Sequence, residues 1–494
     1  MSGRRRARAV MLQGTGSHAG KTVLAAGLCR LLARQGLRVM PFKSQNMSLN
    51  AHVAPGGGEM GWAQVMQAEA AGVEPRVEMN PILLKPRAEA HSQVVLLGRA
   101  RGESDARGYY RLTASLWPAV RRSYAALARE ADVVVIEGAG SPAEPNLMRR
   151  DLANMRVARM AGAPVLLVGD IDRGGVFASL VGTMALLPSA DRRRVRGFLI
   201  NKFRGDPRLL APALRDVTRR TRVPVVGVVP FLPDLSLPEE DSVALDAGTR
   251  PPPRAGGLRV AVVRLPHIAN FTDFAPLESE PAVSLVYAAT PRDLDGATLL
   301  IVPGSKDTIA DLRALKSSGI AAALVGHHAR GGRVLGVCGG FQMLGHAVAD
   351  PHGVESGGRE AGLALLPVTT QLARKKVTRR VRGRWLPDGP ELEAYEIHVG
   401  ETVAEGAPTP LFEIEGRGEG CVSADGRVWG TYLHGLFETG ASRRRVLDWA
   451  RGAPPAEPVT GPDHRARREA SYDRLADTLT ACLDARVIRA LTGP

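Results

Sequence analysis

Two short stretches of this 494-residue chain combine residue types that can do chemistry, one in each half. The first is a glycine-rich loop, GTGSHAGKT at 14–22, which lies between the apolar run RAVMLQ and a predicted amphipathic helix. Backbone N–H groups of such a loop, with the positive end of the helix, bind phosphate groups. The pattern predicts a nucleotide site in which Lys21 contacts the terminal phosphates and the Thr22 hydroxyl ligates Mg2+. The other predicted nucleotide-contacting residues are Gly14, Thr15, Gly16 and Gly20.

The spacing of this loop departs from the strict phosphate-loop pattern. Five residues, rather than four, separate Gly14 from Gly20. An ordinary glycine turn followed by a chance Gly-Lys-Thr is the alternative, but the flanking strand and helix favour the nucleotide site.

A nucleotide-bound Mg2+ also needs a carboxylate at the end of a neighbouring strand. Glu137, which ends the apolar run DVVVIE, is the best candidate, and Asp170 and Asp172 in VLLVGDID come next. The sequence therefore predicts a metal site built from Thr22 and Glu137.

Two more polar residues of the first half have two interpretations each. Asp151, in NLMRRDLANM, is predicted either to take part in catalysis or to cap a helix over 152–161. Lys43, in PFKSQN, is predicted to be a second phosphate contact, and the alternative is a solvated loop lysine.

The second chemical stretch is Gly336-Val337-Cys338-Gly339-Gly340, between an apolar run and a helical segment. A G-x-C-x-G sequence in that position predicts a nucleophile elbow, where small neighbours permit a sharp turn and the helix N-terminus favours the thiolate. A buried structural cysteine is the alternative. A thiolate that transfers acyl groups needs a base, and His434 in GTYLHGLF is preferred over His398. The strand end at Gly304 and Ser305 offers backbone donors for an oxyanion hole.

The elements that must position these residues follow from a repeated pattern of short, continuous apolar runs alternating with helical stretches. Such runs are typical of strands buried on both faces of a parallel sheet. The pattern predicts two α/β domains, each with a doubly wound, mainly parallel sheet, in which ligands bind at the carboxyl ends of the strands. A Pro- and Gly-rich stretch, DAGTRPPPRAGG, is predicted to be a linker at 246–257, between domains at 1–245 and 258–494.

Composition excludes several other classes of protein. Four scattered cysteines without a CxxC pair predict neither a disulfide framework nor a zinc site. No apolar run is long enough for a membrane span or a secretory signal, so we expect a cytoplasmic protein with no membrane partner. The net charge of +15 invites a nucleic-acid partner, but the arginines are scattered and aromatic residues are only 4%, so we expect none.

Beyond these patterns, the sequence resembles known families. The second half resembles the class I glutamine amidotransferases, with Cys338 as nucleophile and His434 as its partner. The first half resembles the dethiobiotin synthetase-like ATPases, which share the long loop spacing and the EGAG stretch. Their fusion in this order resembles the cobalamin-pathway amidases. Within these, the cobyric acid synthase family is the most similar, through the stretches MLQGTGSHAGKT, PFKSQNMSLN, DIDRGGVFAS, NKFRGD and YEIHVGET.

This resemblance implies a glutamine-hydrolysing carbon–nitrogen ligase that uses ATP and Mg2+. Its implied substrate is a corrinoid polycarboxylate, adenosylcobyrinic acid a,c-diamide, whose b, d, e and g carboxylates become amides, with L-glutamine as the ammonia donor. One departure from the amidotransferase pattern concerns the His-Pro-Glu sequence, because Gly435 and Leu436 follow His434 here. The third member of the catalytic group is therefore unassigned, with Glu438 or a backbone carbonyl as alternatives.

Two rival functions share some of these sequence features. The nearer is a cobyrinic acid a,c-diamide synthase, which would use the same two modules on other carboxylates. The other, from a different class, is a partition-type nucleotide switch that binds DNA through its basic surface. The stretches SQNMSLN and DRGGVFAS argue against the first rival, and Cys338 with His434 argues against the second.

Overall fold

The structure is a computed structural model that describes residues 7–88, 91–237, 257–452 and 463–492. Its contacts divide the chain into two units: 1–48, 60–237 and 468–494 form the first, and 49–59 with 238–467 form the second. Two segments, 49–59 and 468–494, thus lie outside the ranges that the sequence predicts for their domains. The predicted linker, 246–257, lies outside the described residues apart from Gly257.

The first unit is built on a six-stranded sheet in which every pair of neighbours is parallel. Its strands coincide with the apolar runs of the first half, and all side chains of Val133–Glu137 are buried. Burial on both faces explains why these runs are continuous rather than alternating. In spatial order the strands are Val225–Pro230, Val195–Phe203, Val165–Asp170, Arg8–Gly14, Val133–Glu137 and Val39–Phe42.

Helices and a small second sheet complete the first unit. The second sheet consists of Gln45–Met47, Ile82–Ala88, His91–Leu96 and Arg99–Asp105, in that order. The helices are Lys21–Arg34, Trp62–Ala70, Ala106–Glu130, Met155–Ala161, Val176–Leu186, Ser189–Arg192, Ala211–Thr221, His464–Cys482 (from Arg468 on) and Ala485–Thr492, with 3-10 turns at Val77–Met79, Met148–Arg150 and Pro207–Leu210.

The helix His464–Cys482, from Arg468 on, packs against the helix that follows the phosphate loop. Arg30 of that helix pairs with Asp473, with 2.8 Å between Nε and Oδ1, and the fully buried Tyr472 donates a hydrogen bond to Glu69. At Gly27 a Cβ atom would lie 2.9 Å from the Leu479 side chain, so the two helices approach closely. This helix is therefore part of the core of the first unit.

The second unit also has a mainly parallel sheet at its centre. Its strands, in spatial order, are Val283–Ala288, Leu258–Val263, Leu299–Val302, Arg333–Val337, Val428–Thr431 and the antiparallel edge strand Cys421–Val422. The helices of this unit are Ala275–Glu278, Thr308–Ser317, Ile320–Ala329, Gly339–Leu344 and Gly440–Arg451, with 3-10 turns at Phe271–Phe274 and Pro291–Leu294. The predicted fold class, two mainly parallel α/β sheets, is confirmed.

A second sheet of the same unit is mostly antiparallel and supplies part of the site. The strands Val368–Trp385 and Glu391–Ala404 pair over most of their length, and Leu433–His434 pairs with the latter. The other strands of this sheet are Gly358–Ala361, Ala347–Asp350, Phe412–Ile414 and Arg417–Glu419. Two short ribbons pair Ile268–Ala269 with Gly304–Ser305, and Ala51–Val53 with Glu59–Gly61.

Within the described ranges, no helix has both the length and the apolar character required to cross a membrane. The predicted cytoplasmic location stays a prediction.

Candidate functional site

The predicted phosphate loop leaves the central strand of the first sheet at Gly14, and the helix begins at Lys21. Gly20 closes the loop at φ 88°, a left-handed conformation that favours glycine. The Lys21 ammonium group donates hydrogen bonds to the carbonyl oxygens of Gly16 (2.9 Å) and Gly140 (3.3 Å). A Cβ atom on Gly14 would lie 2.7 Å from the Gly16 oxygen, so only glycine fits there. The loop is thus a narrow cradle of backbone atoms, and hydrogen bonds hold the Lys21 ammonium group against it.

Glu137 lies beside this loop, as predicted, at the carboxyl end of the neighbouring strand. Its Oε1 accepts hydrogen bonds from Thr22 Oγ1 and Lys43 Nζ, both at 2.8 Å, and its Oε2 accepts one from Gln67 Nε2 at 2.5 Å. The carboxylate is only 1% exposed. Lys43 is therefore not a solvated loop lysine, because it forms a buried ion pair with Glu137.

The hydroxyl of Thr22 and the carboxylate of Glu137 fit Mg2+ as ligands, since both are hard oxygen donors that lie together. Mg2+ characteristically takes one or two carboxylates and completes its shell with water and substrate phosphates. In the described part of the chain, no group of three or more His, Cys, Asp or Glu side chains could hold a metal by itself. A site in which the phosphates of a nucleotide supply further ligands does not need such a group of side chains.

The remaining acidic candidates of the first unit have other partners. The Asp151 carboxylate accepts hydrogen bonds from the backbone N–H groups of Ala153 and Asn154 (2.7 Å each) and of Arg156 (3.1 Å). These bonds support the capping interpretation, although the helix begins at Met155 and not at 152. Asp170 pairs with Lys202 and Asp172 with Arg204.

In the second unit, Cys338 occupies the predicted turn between a strand and a helix. Its backbone has φ 52° and ψ −109°, a strained conformation for a residue other than glycine. Small neighbours permit the turn, because a Cβ atom on Gly340 would clash with the Val302 carbonyl oxygen. The thiol is 7% exposed and donates to the Ile397 carbonyl oxygen at 3.5 Å. This geometry is that of a nucleophile elbow.

His434 lies next to this thiol, because its strand continues from the one that pairs with the cysteine strand. Its Nδ1 is 2.6 Å from Asp273 Oδ2, and both side chains are buried. Burial lowers the pKa of the imidazole, but the charge and hydrogen bond of Asp273 and the hydrogen bond to Cys338 outweigh it and raise the pKa to about 10. The side chain that contacts His434 Nδ1, unassigned from the sequence, is therefore Asp273 and not Glu438.

His398, the competing base, has different surroundings. Its Nδ1 is 2.9 Å from the Gly400 carbonyl oxygen, and its ring stacks on Tyr432. Tyr395, in contrast, stacks on His434 and donates from its hydroxyl to Asp273 Oδ1 at 3.4 Å. Burial, with the charge of Asp273, raises the pKa of Tyr395 far above its usual range, so the phenol keeps the proton it donates.

The predicted oxyanion residues, Gly304 and Ser305, adjoin the cysteine turn. A Cβ atom on Gly339 would lie 2.8 Å from the Ser305 amide nitrogen, and one on Gly304 would lie 3.5 Å from the His434 ring. Asp311, which is 0% exposed, accepts hydrogen bonds from the Ser305 hydroxyl (2.6 Å) and from His267 Nδ1 (2.7 Å). Asp311 thereby fixes Ser305, whose backbone lies next to the cysteine turn.

Sequence reasoning missed Asp273, Asp311 and Gln67. Asp273 precedes His434 by 161 residues and belongs to no motif, so only the folded arrangement brings the two together. Gln67 lies on a helix without a recognisable pattern, yet its amide fixes Glu137.

Comparison with known proteins first defines the class. Residues 10–244 match the CobQ/CobB/MinD/ParA nucleotide binding domain, and residues 259–442 match the CobB/CobQ-like glutamine amidotransferase domain. A nucleotide-binding domain followed by a glutamine amidotransferase domain defines a glutamine-dependent amidoligase.

Full-length relatives then give the family. Cobyric acid synthase of Desulforudis audaxviator is 52% identical over 96% of this chain and 97% of its own. The Moorella thermoacetica enzyme of the same name is 49% identical over 99% and 98%, and that of Halorhodospira halophila 51% over 99% of each. The chain belongs to the cobyric acid synthase family. It is a ligase of cobalamin biosynthesis that uses ATP and glutamine in the amidation of a corrinoid.

Proposed function

We propose that this chain amidates the b, d, e and g side-chain carboxylates of adenosylcobyrinic acid a,c-diamide and so produces adenosylcobyric acid. The proposal takes its substrate from the resemblance and from the named relatives, which are similar over nearly their whole length. The single observation that carries the chemistry is the buried contact between His434 and Asp273, at 2.6 Å, beside the strained Cys338.

In the second unit, the Cys338 thiolate attacks the side-chain amide carbon of glutamine, and a C–S bond forms. The His434 imidazolium gives its proton to the departing nitrogen as the C–N bond breaks, so ammonia leaves. Water then cleaves the thioester, which releases glutamate and restores the thiolate. Asp273 keeps the imidazole oriented through Nδ1, and backbone N–H groups at Gly304 and Ser305 stabilise the oxyanion.

In the first unit, the substrate carboxylate must be activated, because a carboxylate is a poor electrophile. ATP supplies the phosphoryl group that turns the carboxylate into an acyl phosphate, which ammonia then converts to the amide with release of phosphate. Lys21 and the loop 14–22 bind the phosphates. Thr22 and Glu137 would hold Mg2+, which adds positive charge next to the transferred group.

Three further roles concern the other predicted residues of the first unit. Lys43, which neutralises Glu137 through their buried ion pair, is our candidate for a second phosphate contact. Gly14, Thr15, Gly16 and Gly20 supply the backbone of the cradle. A direct catalytic role for Asp151 stays a prediction. Its carboxylate accepts three backbone hydrogen bonds, which the capping interpretation explains.

Mass spectrometry of the corrinoid, after incubation of the purified chain with ATP, Mg2+ and glutamine, tests the proposal. We expect adenosylcobyrinic acid a,c-diamide to gain amides at four positions, each by replacement of a hydroxyl with an amino group. Cobyrinic acid in a parallel incubation should stay unchanged. Amidation of cobyrinic acid at a and c only would instead identify an a,c-diamide synthase.

A further inference from the structure

One segment of the second unit comes from an unexpected place in the sequence. Residues 49–59 belong to this unit, whereas their chain neighbours on both sides, up to Ser48 and from Met60, belong to the first. The segment forms a hairpin in which Ala51–Val53 pairs with the strand that begins at Glu59, and a tight turn joins Ala54 to Gly58.

Two basic side chains of the long strand Val368–Trp385 hold this hairpin. Arg380 Nε donates to the Val53 carbonyl oxygen at 2.8 Å, and Lys376 Nζ is 2.6 Å from Glu59 Oε2. Glu59 is 1% exposed. A buried carboxylate that has a lysine partner is specific for one arrangement, because any shift would leave its charge without compensation.

Asn270 is the first link between the hairpin and the pair formed by His434 and Asp273. The Ala51 N–H donates to Asn270 Oδ1 at 3.0 Å, and the Asn270 N–H donates to the Leu49 carbonyl oxygen at 3.4 Å. Asn270 is buried, has φ 54°, and begins the 3-10 turn that carries Asp273. Its Nδ2 is 3.4 Å from His434 Nδ1. The hairpin backbone therefore fixes the residue from which the turn with Asp273 starts.

A second route runs through aromatic rings. The His52 and Tyr395 rings pack edge to face, with 4.5 Å between centroids, and Tyr395 stacks on His434, with 5.2 Å between centroids. The Tyr395 hydroxyl also donates to Asp273. His52 thus supports the residue that contacts both members of the pair.

We propose that residues 49–59 are a positioning segment of the glutaminase site, which fixes Asp273 and His434 through Asn270 and Tyr395. This inference rests on the proposed role of Cys338 and His434 in glutamine hydrolysis. It goes beyond that role because the amidotransferase domain at 259–442 is then incomplete without a part of the chain some 200 residues earlier. His52 acts through Tyr395 and does not touch the reacting atoms.

The test is steady-state glutaminase kinetics of the full chain with His52→Ala and with a second variant, Arg380→Met, which removes both the bond to Val53 and a contact of 3.3 Å with His52 Nε2. We expect kcat to fall by about 10-fold with KM for glutamine nearly unchanged, because small displacements of catalytic groups reduce turnover steeply. His52→Phe keeps a ring against Tyr395 and should restore kcat to within about 3-fold of the wild type. Matched controls are the exposed His352→Ala and Arg382→Met, the latter two positions along the same strand and 85% exposed.

Synthesis of amide from ammonium by the same variants measures whether the chain is folded, and it should be unchanged. Wild-type glutaminase turnover in both His52→Ala and Arg380→Met would overturn the inference while leaving the proposed function intact. Loss of ammonium-dependent synthesis together with glutaminase would contradict it as well, since the segment would then serve the fold. Absence of Cys338-dependent glutaminase in the wild type would remove the proposed function itself.

Discussion

At the scale of single residues, the proposed reactivity of the glutaminase site depends on a carboxylate, Asp273, that the sequence does not reveal. Cys338 and His434 lie in local patterns, a G-x-C-x-G turn and a strand ending in His-Gly, and both were predicted. Asp273 lies 161 residues before His434 in an inconspicuous turn. Its role follows only from the distance of 2.6 Å in the folded chain, because tertiary contacts leave no local signal.

Asp273→Asn should lower glutaminase kcat by about 100-fold, since an amide no longer favours the protonated imidazole that must donate to ammonia. The pH profile should change as well. In the wild type the pKa of His434 is raised to about 10, so its proton is retained through neutral pH and lost only as the pH rises through that value. Without the carboxylate, burial dominates and lowers this pKa, so the alkaline limb of kcat moves to lower pH.

The exposed Asp295→Asn, in the same unit, is the control and should leave the profile unchanged. An unshifted alkaline limb in Asp273→Asn would mean that His434 does not depend on this carboxylate.

At the scale of elements, the two chemical sites both lie where a parallel strand ends and a helix begins. Gly14 and Lys21 bracket such a junction in the first unit, and Cys338 forms one in the second. The free backbone N–H groups at the start of a helix favour anions, so a phosphate and a thiolate are the groups that we expect at these two junctions.

Gly14→Ala should abolish most ATP-dependent amidation, because the new methyl group would lie 2.7 Å from the Gly16 oxygen and 2.8 Å from Lys21 Nζ. We expect a loss on the order of 100-fold in kcat/KM for ATP. Glutaminase activity of the second unit measured without nucleotide should persist.

Gly182→Ala is the matched control, since a Cβ atom there meets nothing within 4 Å. Normal ATP kinetics in Gly14→Ala would contradict the assignment of this loop to the phosphates.

The elements could be predicted from the sequence where burial is two-sided. Each of the six strands of the first parallel sheet contains a continuous apolar run, as do Leu258–Val263 and Arg333–Val337. The strand Val368–Trp385 was not predicted, because it reads VTTQLARKKVTRRVRGRW and several of its side chains are exposed. Strands of an antiparallel sheet can keep one face in water, so an arginine-rich sequence hides them.

At the scale of the whole molecule, two parts of the chain lie in units that their sequence position does not suggest. Residues 49–59 belong to the second unit, and residues from Arg468 on belong to the first. Neither assignment could be predicted, because amphipathic patterns show that a face is buried but not against which partner. The predicted boundary near residue 250 assumes that each domain is one continuous stretch of the chain.

Tyr472→Ala should destabilise the first unit by about 3 kcal/mol, because it removes a fully buried aromatic ring and the hydrogen bond to Glu69. Hydrogen exchange measures this effect, as lower protection of the backbone amides in the strands of the first sheet. Thr480→Ala, on the exposed face of the same helix, should change stability little. Equal protection in Tyr472→Ala and wild type would mean that the helix His464–Cys482 does not stabilise this unit.

The central claim is a division of labour, in which the first unit activates a carboxylate and the second releases ammonia. Near neutral pH free ammonia is mostly ammonium, so a supply from glutamine matters unless ammonium is abundant. The most direct measurement is the rate of corrinoid amidation by Cys338→Ala, with glutamine and, separately, with a high concentration of ammonium. We predict no amide with glutamine and wild-type rates with ammonium. Amide formed from glutamine by this variant, or none from either source, would contradict the account.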